Sequence, residues 1–132
     1  MKKKIISLFL VLTFVFALSI TSFASSHYAD VYSFSNIQPR EERVVKTLEA
    51  RDLQKFKSYS NIYIGTVEVE GNNLKYDLRL KGPSLSIGTD YFATPYSMHY
   101  CGQPFDGNGP YRLIIKNKGG SPISGRLILI AN

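Results

Sequence analysis

His99 and Cys101 stand two residues apart in Ser97-Met98-His99-Tyr100-Cys101, bringing an imidazole close to the chain's single thiol. Alternate residues of an extended segment share a side, so the pair has the placement of a base beside a thiolate nucleophile. Neither an oxyanion donor nor an orienting third group can be identified, and Cys101 reads as a packed thiol. Metal binding has less support, because His27, His99 and Cys101 lack the spacing of zinc ligands. Asp106-Gly107-Asn108 offers oxygens to Ca²⁺ with Asp90 as a distant helper, but calcium loops gather several acids, so this one reads as a turn. Glu68 and Glu70 share a strand face and form a carboxylate pair of the kind that cleaves glycosidic bonds. Charges on the wet face of an antiparallel sheet explain them without chemistry. No catalytic residue, metal or cofactor is therefore expected.

The aromatic residues carry more. Tyr91, Phe92, Tyr96, Tyr100, Phe105 and Tyr111 gather in one part of the chain, beside Asp90, Gln103 and Asn108. Flat rings with polar groups at their rims form a surface on which a sugar ring or an apolar partner can lie. Tyr96, Met98 and Tyr100 share a face and are expected to point inward. That leaves Tyr91, Phe105, Asn108 and Tyr111 as the candidate ligand-binding residues.

These residues need a framework. Lys2, Lys3 and Lys4 precede an uncharged run from Ile5 to Ile20, and Ser22-Phe23-Ala24 supplies small residues at a cleavage position. The pattern is that of a secretory signal peptide over residues 1–24. A retained membrane anchor is the competing reading, and no basic stop-transfer cluster follows the run to support it. Removal after Ala24 leaves residues 25–132, a length that suits one domain. It also lowers the basic residues from 16 to 13 against 10 acids, and the net charge from +6 to +3. Those charges are scattered among acids, which argues against nucleic acid as a partner and leaves a weak attraction to anionic cell-wall polymers. A single cysteine forms no intramolecular disulfide, so apolar layers must hold the domain.

Within residues 25–132 the patterning is extended. Tyr28 to Ser35, Asn61 to Glu70 and Leu74 to Lys81 read as strands, the last alternating Leu74, Tyr76, Leu78 and Leu80 against charged residues. Residues 39–57 mix helix and strand signals and are read as a strand near Glu42 to Leu48 followed by a short helix near Glu49 to Lys57. Gly71-Asn72-Asn73 is expected to join its flanking strands in a hairpin, and Tyr111 to Asn132 reads as a second hairpin turning through Gly119, Gly120 and Pro122. About eight strands result, and the expected fold is an all-β, antiparallel two-layer β-sandwich, jelly-roll-like, after a cleaved signal helix.

Asp30-Val-Tyr-Ser-Phe-Ser35, with Gly109-Pro-Tyr-Arg-Leu-Ile-Ile-Lys-Asn117 and Gly125-Arg-Leu-Ile-Leu-Ile130, resembles the first and last strands of the pre-peptidase C-terminal type of bacterial β-sandwich. The resemblance covers the two ends of the expected domain. It implies a jelly-roll-like accessory module, of a kind associated with exported enzymes and with binding to extracellular matter. The chain departs from that pattern by lacking an Asp-Leu-Tyr-Leu type of central strand, for which Tyr76-Asp77-Leu78-Arg79 stands, and by carrying no enzyme. No site residues are carried over.

The expected function is thus that of a small secreted, non-catalytic and monomeric module. It would bind extracellular polysaccharide or a cell-envelope component through an aromatic-rich loop end, without a stable membrane anchor. The alternative is a bacteriocin-like toxin or an enzyme inhibitor acting on a protein or membrane partner.

Overall fold

The computed structural model describes residues 28–132; the expected signal segment 1–24 and His27 lie outside them. The chain runs β1 (Tyr28–Ile37), β2 (Glu42–Leu48), α1 (Ala50–Lys57), β3 (Ile62–Glu70), β4 (Tyr76–Lys81), β5 (Ser86–Phe92), β6 (Ser97–Gly102), β7 (Tyr111–Asn117) and β8 (Ile123–Ala131). Two four-stranded sheets result, in the orders β1-β8-β3-β6 and β2-β7-β4-β5. Every pairing is antiparallel. The chain changes sheet at each step except from β4 to β5, which is the winding of a jelly roll.

Two expected hairpins are corrected by this winding. β3 and β4 lie in different sheets, as do β7 and β8, so Gly71-Asn72-Asn73 and residues 118–122 are corners between layers. The true hairpin joins β4 to β5 around Gly82, whose backbone N–H donates to the Leu85 carbonyl at 2.9 Å. Asn117 explains the last corner. It is fully buried, and its Nδ2 donates to the carbonyls of Ile37 and Ser121 at 2.9 and 2.8 Å while its Oδ1 accepts from the Gly119 N–H at 2.9 Å. A side chain that satisfies three backbone groups holds the bend apart from any strand-to-strand turn.

Between the sheets lie Leu48, Ile62, Ile64, Leu78, Leu80, Leu113, Ile115, Leu127 and Leu129, all buried. Their even spacing within each strand puts them on the inner faces, as pleating requires. Bulges adjust that rule twice. Glu68 takes φ 55° where the β3–β8 register shifts, which turns Val69 inward beside the even-numbered residues before it. Asn36 at φ 52° does the same for β1 and allows Phe34 and Ile37, three apart, both to be buried.

α1 closes one end of the sandwich with Leu53 and Phe56. Asp52 accepts the Glu49 backbone N–H at 2.9 Å, and Lys55 and Lys57 stand in the last turn, so charge favours the short helix at both ends. The interior also holds a polar link between layers. The Tyr76 hydroxyl of β4 donates to the Thr94 carbonyl at 2.7 Å and lies 2.6 Å from Thr66 Oγ1 of β3, which in turn meets Ser97 Oγ of β6. Since the tyrosine proton is committed to Thr94, Thr66 donates to Tyr76 and Ser97 donates to Thr66.

Candidate functional site

The strand that was expected to send its large residues inward does the opposite. Tyr96, Met98 and Tyr100 are 62, 51 and 54% exposed. They do share a face, but the inner side of β6 carries Ser97, His99 and Cys101 instead. Ser97 joins the Thr66–Tyr76 link and His99 Nδ1 is hydrogen-bonded to Thr89 Oγ1 of β5, so polar contacts satisfy the inner side of β6. An alternating segment whose polar side is satisfied internally can turn its aromatic side to water.

Strand register assembles that outward side into a face. Ala29, Ile130, Tyr63 and Tyr100 are successive cross-strand partners over β1, β8, β3 and β6. Val31, Ile128, Gly65 and Met98 form the next row, with Val31 50% exposed. The Tyr63 and Tyr100 rings lie 5.1 Å apart at 50°, and the Tyr100 hydroxyl donates to Asn61 Oδ1 at 2.7 Å. Gly65 is required here, because a Cβ at that position would collide with the Ser97 carbonyl oxygen. At the margin, Arg126 pairs with Glu68 at 2.6 Å. The result is an apolar, two-ring floor with a polar rim.

The four candidate residues do not meet on this face. Phe105 and Tyr111, expected at the exposed loop end, are 3 and 1% exposed and belong to the core. Their rings stack edge to face at 5.1 Å, and Phe105 continues to Phe56 at 5.9 Å. The loop between β6 and β7 folds back over the sandwich end rather than into solvent. Gln103 Nε2 donates to the carbonyls of Phe56 and Tyr59 at 3.0 and 2.5 Å, and the Tyr111 hydroxyl donates to Asp106 Oδ1 at 3.1 Å. Asn108 is exposed in that loop, where its Oδ1 accepts from Lys57 Nζ at 3.2 Å. Tyr91 lies in β5 of the other sheet, and its side chain is outside the described residues. Tyr63 had been assigned only to a strand; its neighbour Tyr100 across β6 becomes visible once register is known.

Cys101 remains half-buried, with Sγ 3.7 Å from the His99 carbonyl. Burial pushes its thiol up to about 11, against a smaller opposing effect from the Ile64 backbone. His99 shares its Nδ1 with Thr89. A protonated thiol beside an engaged imidazole is the reverse of an activated pair. The sign of the linkage follows: the unfolded thiol releases its proton near its ordinary value of 9.0, whereas the folded one keeps it to about 11. Stability attributable to this group is intact below pH 9 and is lost as pH rises through 11. Cys101→Ala should therefore lose less stability than the parent between pH 9 and 11, measured as urea midpoints at both values. Parallel declines in the two proteins would show the thiol to be unperturbed.

Among the described residues no group of three or more His, Cys, Asp or Glu is placed to hold a metal ion.

This arrangement is a jelly-roll sandwich presenting one flat aromatic sheet face. No protein-family model and no curated protein sequence matches this chain. Among solved structures, the Yersinia pseudotuberculosis-derived mitogen is 13% identical, with a TM-score of 0.50 over 80% of this chain and 85% of its own. FLHE is 15% identical, with a TM-score of 0.47 over 80 and 96%. The C-terminal carbohydrate-binding module CBM6 of LamC from Zobellia galactanivorans is 10% identical, with a TM-score of 0.45 over 80 and 91%. At these identities the likeness is one of fold.

Proposed function

We propose that the protein is an exported, non-catalytic binding module that lays a carbohydrate chain, free or in a cell envelope, across the outer face of the β1-β8-β3-β6 sheet. The observation that carries this reading is the Tyr63–Tyr100 ring pair, half-buried and exposed respectively, continued by Met98 of β6 and by Tyr96 just before it. Ring faces of this kind offer stacking area to the apolar side of a sugar, and Asn61, Arg126 and Glu68 stand at the rim for its hydroxyls. Loss of a central ring from such a face typically costs about tenfold in affinity.

The test is retention on insoluble polysaccharides and on isolated cell-wall material. Tyr63→Ala and Tyr100→Ala are each expected to bind about tenfold more weakly than the parent, with the fold kept. Unchanged retention in both variants would remove the sheet face from consideration. Loss confined to Tyr91→Ala or Asn108→Ala would return the site to the loop end.

A second reading, a protein partner, is favoured by the exposed Val31 and Met98, which add aliphatic area that sugars use poorly. Retention on none of the glycans, with a saturable partner lost in the same tyrosine variants, selects it.

A further inference from the structure

The opposite sheet carries a second feature that the tyrosine face does not use. On the outer side of β2-β7-β4-β5, charges are matched over most of the surface. A cleft of about 270 Å³ there is lined by Glu42, Asp77 and Asp90 together with Arg79, Lys116 and Lys118. Lys118 pairs with Asp77 at 2.9 Å and Arg79 reaches Asp90 at 3.7 Å. Toward the loop end the matching stops. Lys81 of β4 and Arg112 of β7 are direct cross-strand partners, and among the described residues neither makes an ion pair or a side-chain hydrogen bond. Partners in such a ladder have Cα atoms about 4.5–5.5 Å apart, and like charges set opposite each other destabilise a sheet.

That unfavourable pair stands in a cleft. Lys81 and Arg112 line a space of about 340 Å³ with Gly82, Pro83 and Pro110, and no carboxylate borders it. Its walls are stiff: the prolines fix their own φ, and Gly82 is seated against the ring of the buried Tyr111. Thr47 of β2, half-buried, lies across from Arg112 in the same row. A guanidinium fork and an ammonium lining one cleft suit a tetrahedral oxyanion.

We infer that Lys81 and Arg112 form a binding subsite for a phosphate-type oxyanion, either the free ion or the same group carried on a polymer. The bound anion supplies the negative charge that the surrounding strands withhold. This subsite lies on the other sheet from the tyrosine face and stands whether or not that face binds glycans.

The experiment compares the full chain with Lys81→Gln/Arg112→Gln, and with Arg51→Gln/Lys57→Gln, which removes the same charge from the helix. Urea unfolding is followed at low ionic strength with and without inorganic phosphate. At tenfold excess over its dissociation constant, phosphate should raise the folding equilibrium constant of the parent and of the helix variant about elevenfold. The cleft variant should show no rise. Without phosphate the cleft variant should be at least as stable as the parent, because the repulsion is gone; this also establishes that it folds. A second arm replaces the ion with a glycerol-phosphate polymer, using a neutral glucan as control. Retention of the parent but not of the cleft variant assigns the anion to a polymer, and a response to inorganic phosphate alone assigns it to the free ion. Equal phosphate responses in parent and cleft variant, or none in the parent, would overturn the subsite.

Discussion

Phe105→Ala is expected to destabilise the protein by about 3–5 kcal/mol, the usual loss when a packed phenyl ring leaves a core. Phe105 is the centre of a file of rings, with Phe56 at 5.9 Å on one side and Tyr111 at 5.1 Å on the other, and Phe56 continues to Tyr28 at 5.3 Å. This file seals the sandwich beneath α1 and the β6–β7 loop. The neighbours cannot collapse into the gap, because Tyr111 is held by Asp106 and Gly107 and α1 by its own packing. With a total stability of about 5–15 kcal/mol for a domain of this kind, such a loss brings the variant close to unfolding. The measurement is the urea midpoint at constant m-value. A loss below about 1 kcal/mol would mean that the ring is not part of the core, and the loop-end aromatic site would regain its basis. Tyr100→Ala, on the exposed face, should fall within about 1 kcal/mol of the parent.

Asn117→Ala is expected to cost about 3 kcal/mol although it removes no apolar area. The substitution leaves the buried Ile37 carbonyl and the part-buried Ser121 carbonyl and Gly119 N–H without their side-chain partner. Each abandoned buried group costs about 1–3 kcal/mol, reduced where local relaxation admits solvent. The effect should be spatially specific. Amide exchange at Gly119 and along the β7–β8 corner should quicken more than global unfolding predicts, because that bend has lost its internal ties. A stability change under about 1 kcal/mol, with exchange at Gly119 unaltered, would show that the corner is held by its backbone alone.

Local patterns carried the strands and helix, whereas pairing between them did not follow. The clean alternation of β4 and the succession from β2 to α1 are set by residues within a few positions of one another, and the structure keeps both, with β4 beginning at Tyr76 rather than Leu74. The expected hairpins failed because Gly71-Asn72-Asn73 and Gly119-Gly120-Ser121-Pro122 announce a change of direction without saying which layer receives the chain. That choice rests on Asn117, whose three partners include a backbone carbonyl eighty positions away. The inversion of β6 had the same origin. Met98 and Tyr100 look like core residues until Ser97 and His99 are seen to be satisfied by Thr66 and Thr89. Phe105, in a loop rich in glycine and proline, gave no periodic signal of burial; its depth depends on Gln103 fastening that loop to α1 and to Tyr59.

Tyr28 lies opposite Ala131, and β8 is the shared neighbour of β1 and β3. The strand that completes the first layer is therefore the last of the eight in chain order. A growing chain that stops short of residue 123 has nothing for β1 to pair with, so the first layer closes only once β8 has been made. Factors that handle the growing polypeptide meet it open, and any premature stop in the final strand removes the first layer's centre rather than trimming an edge.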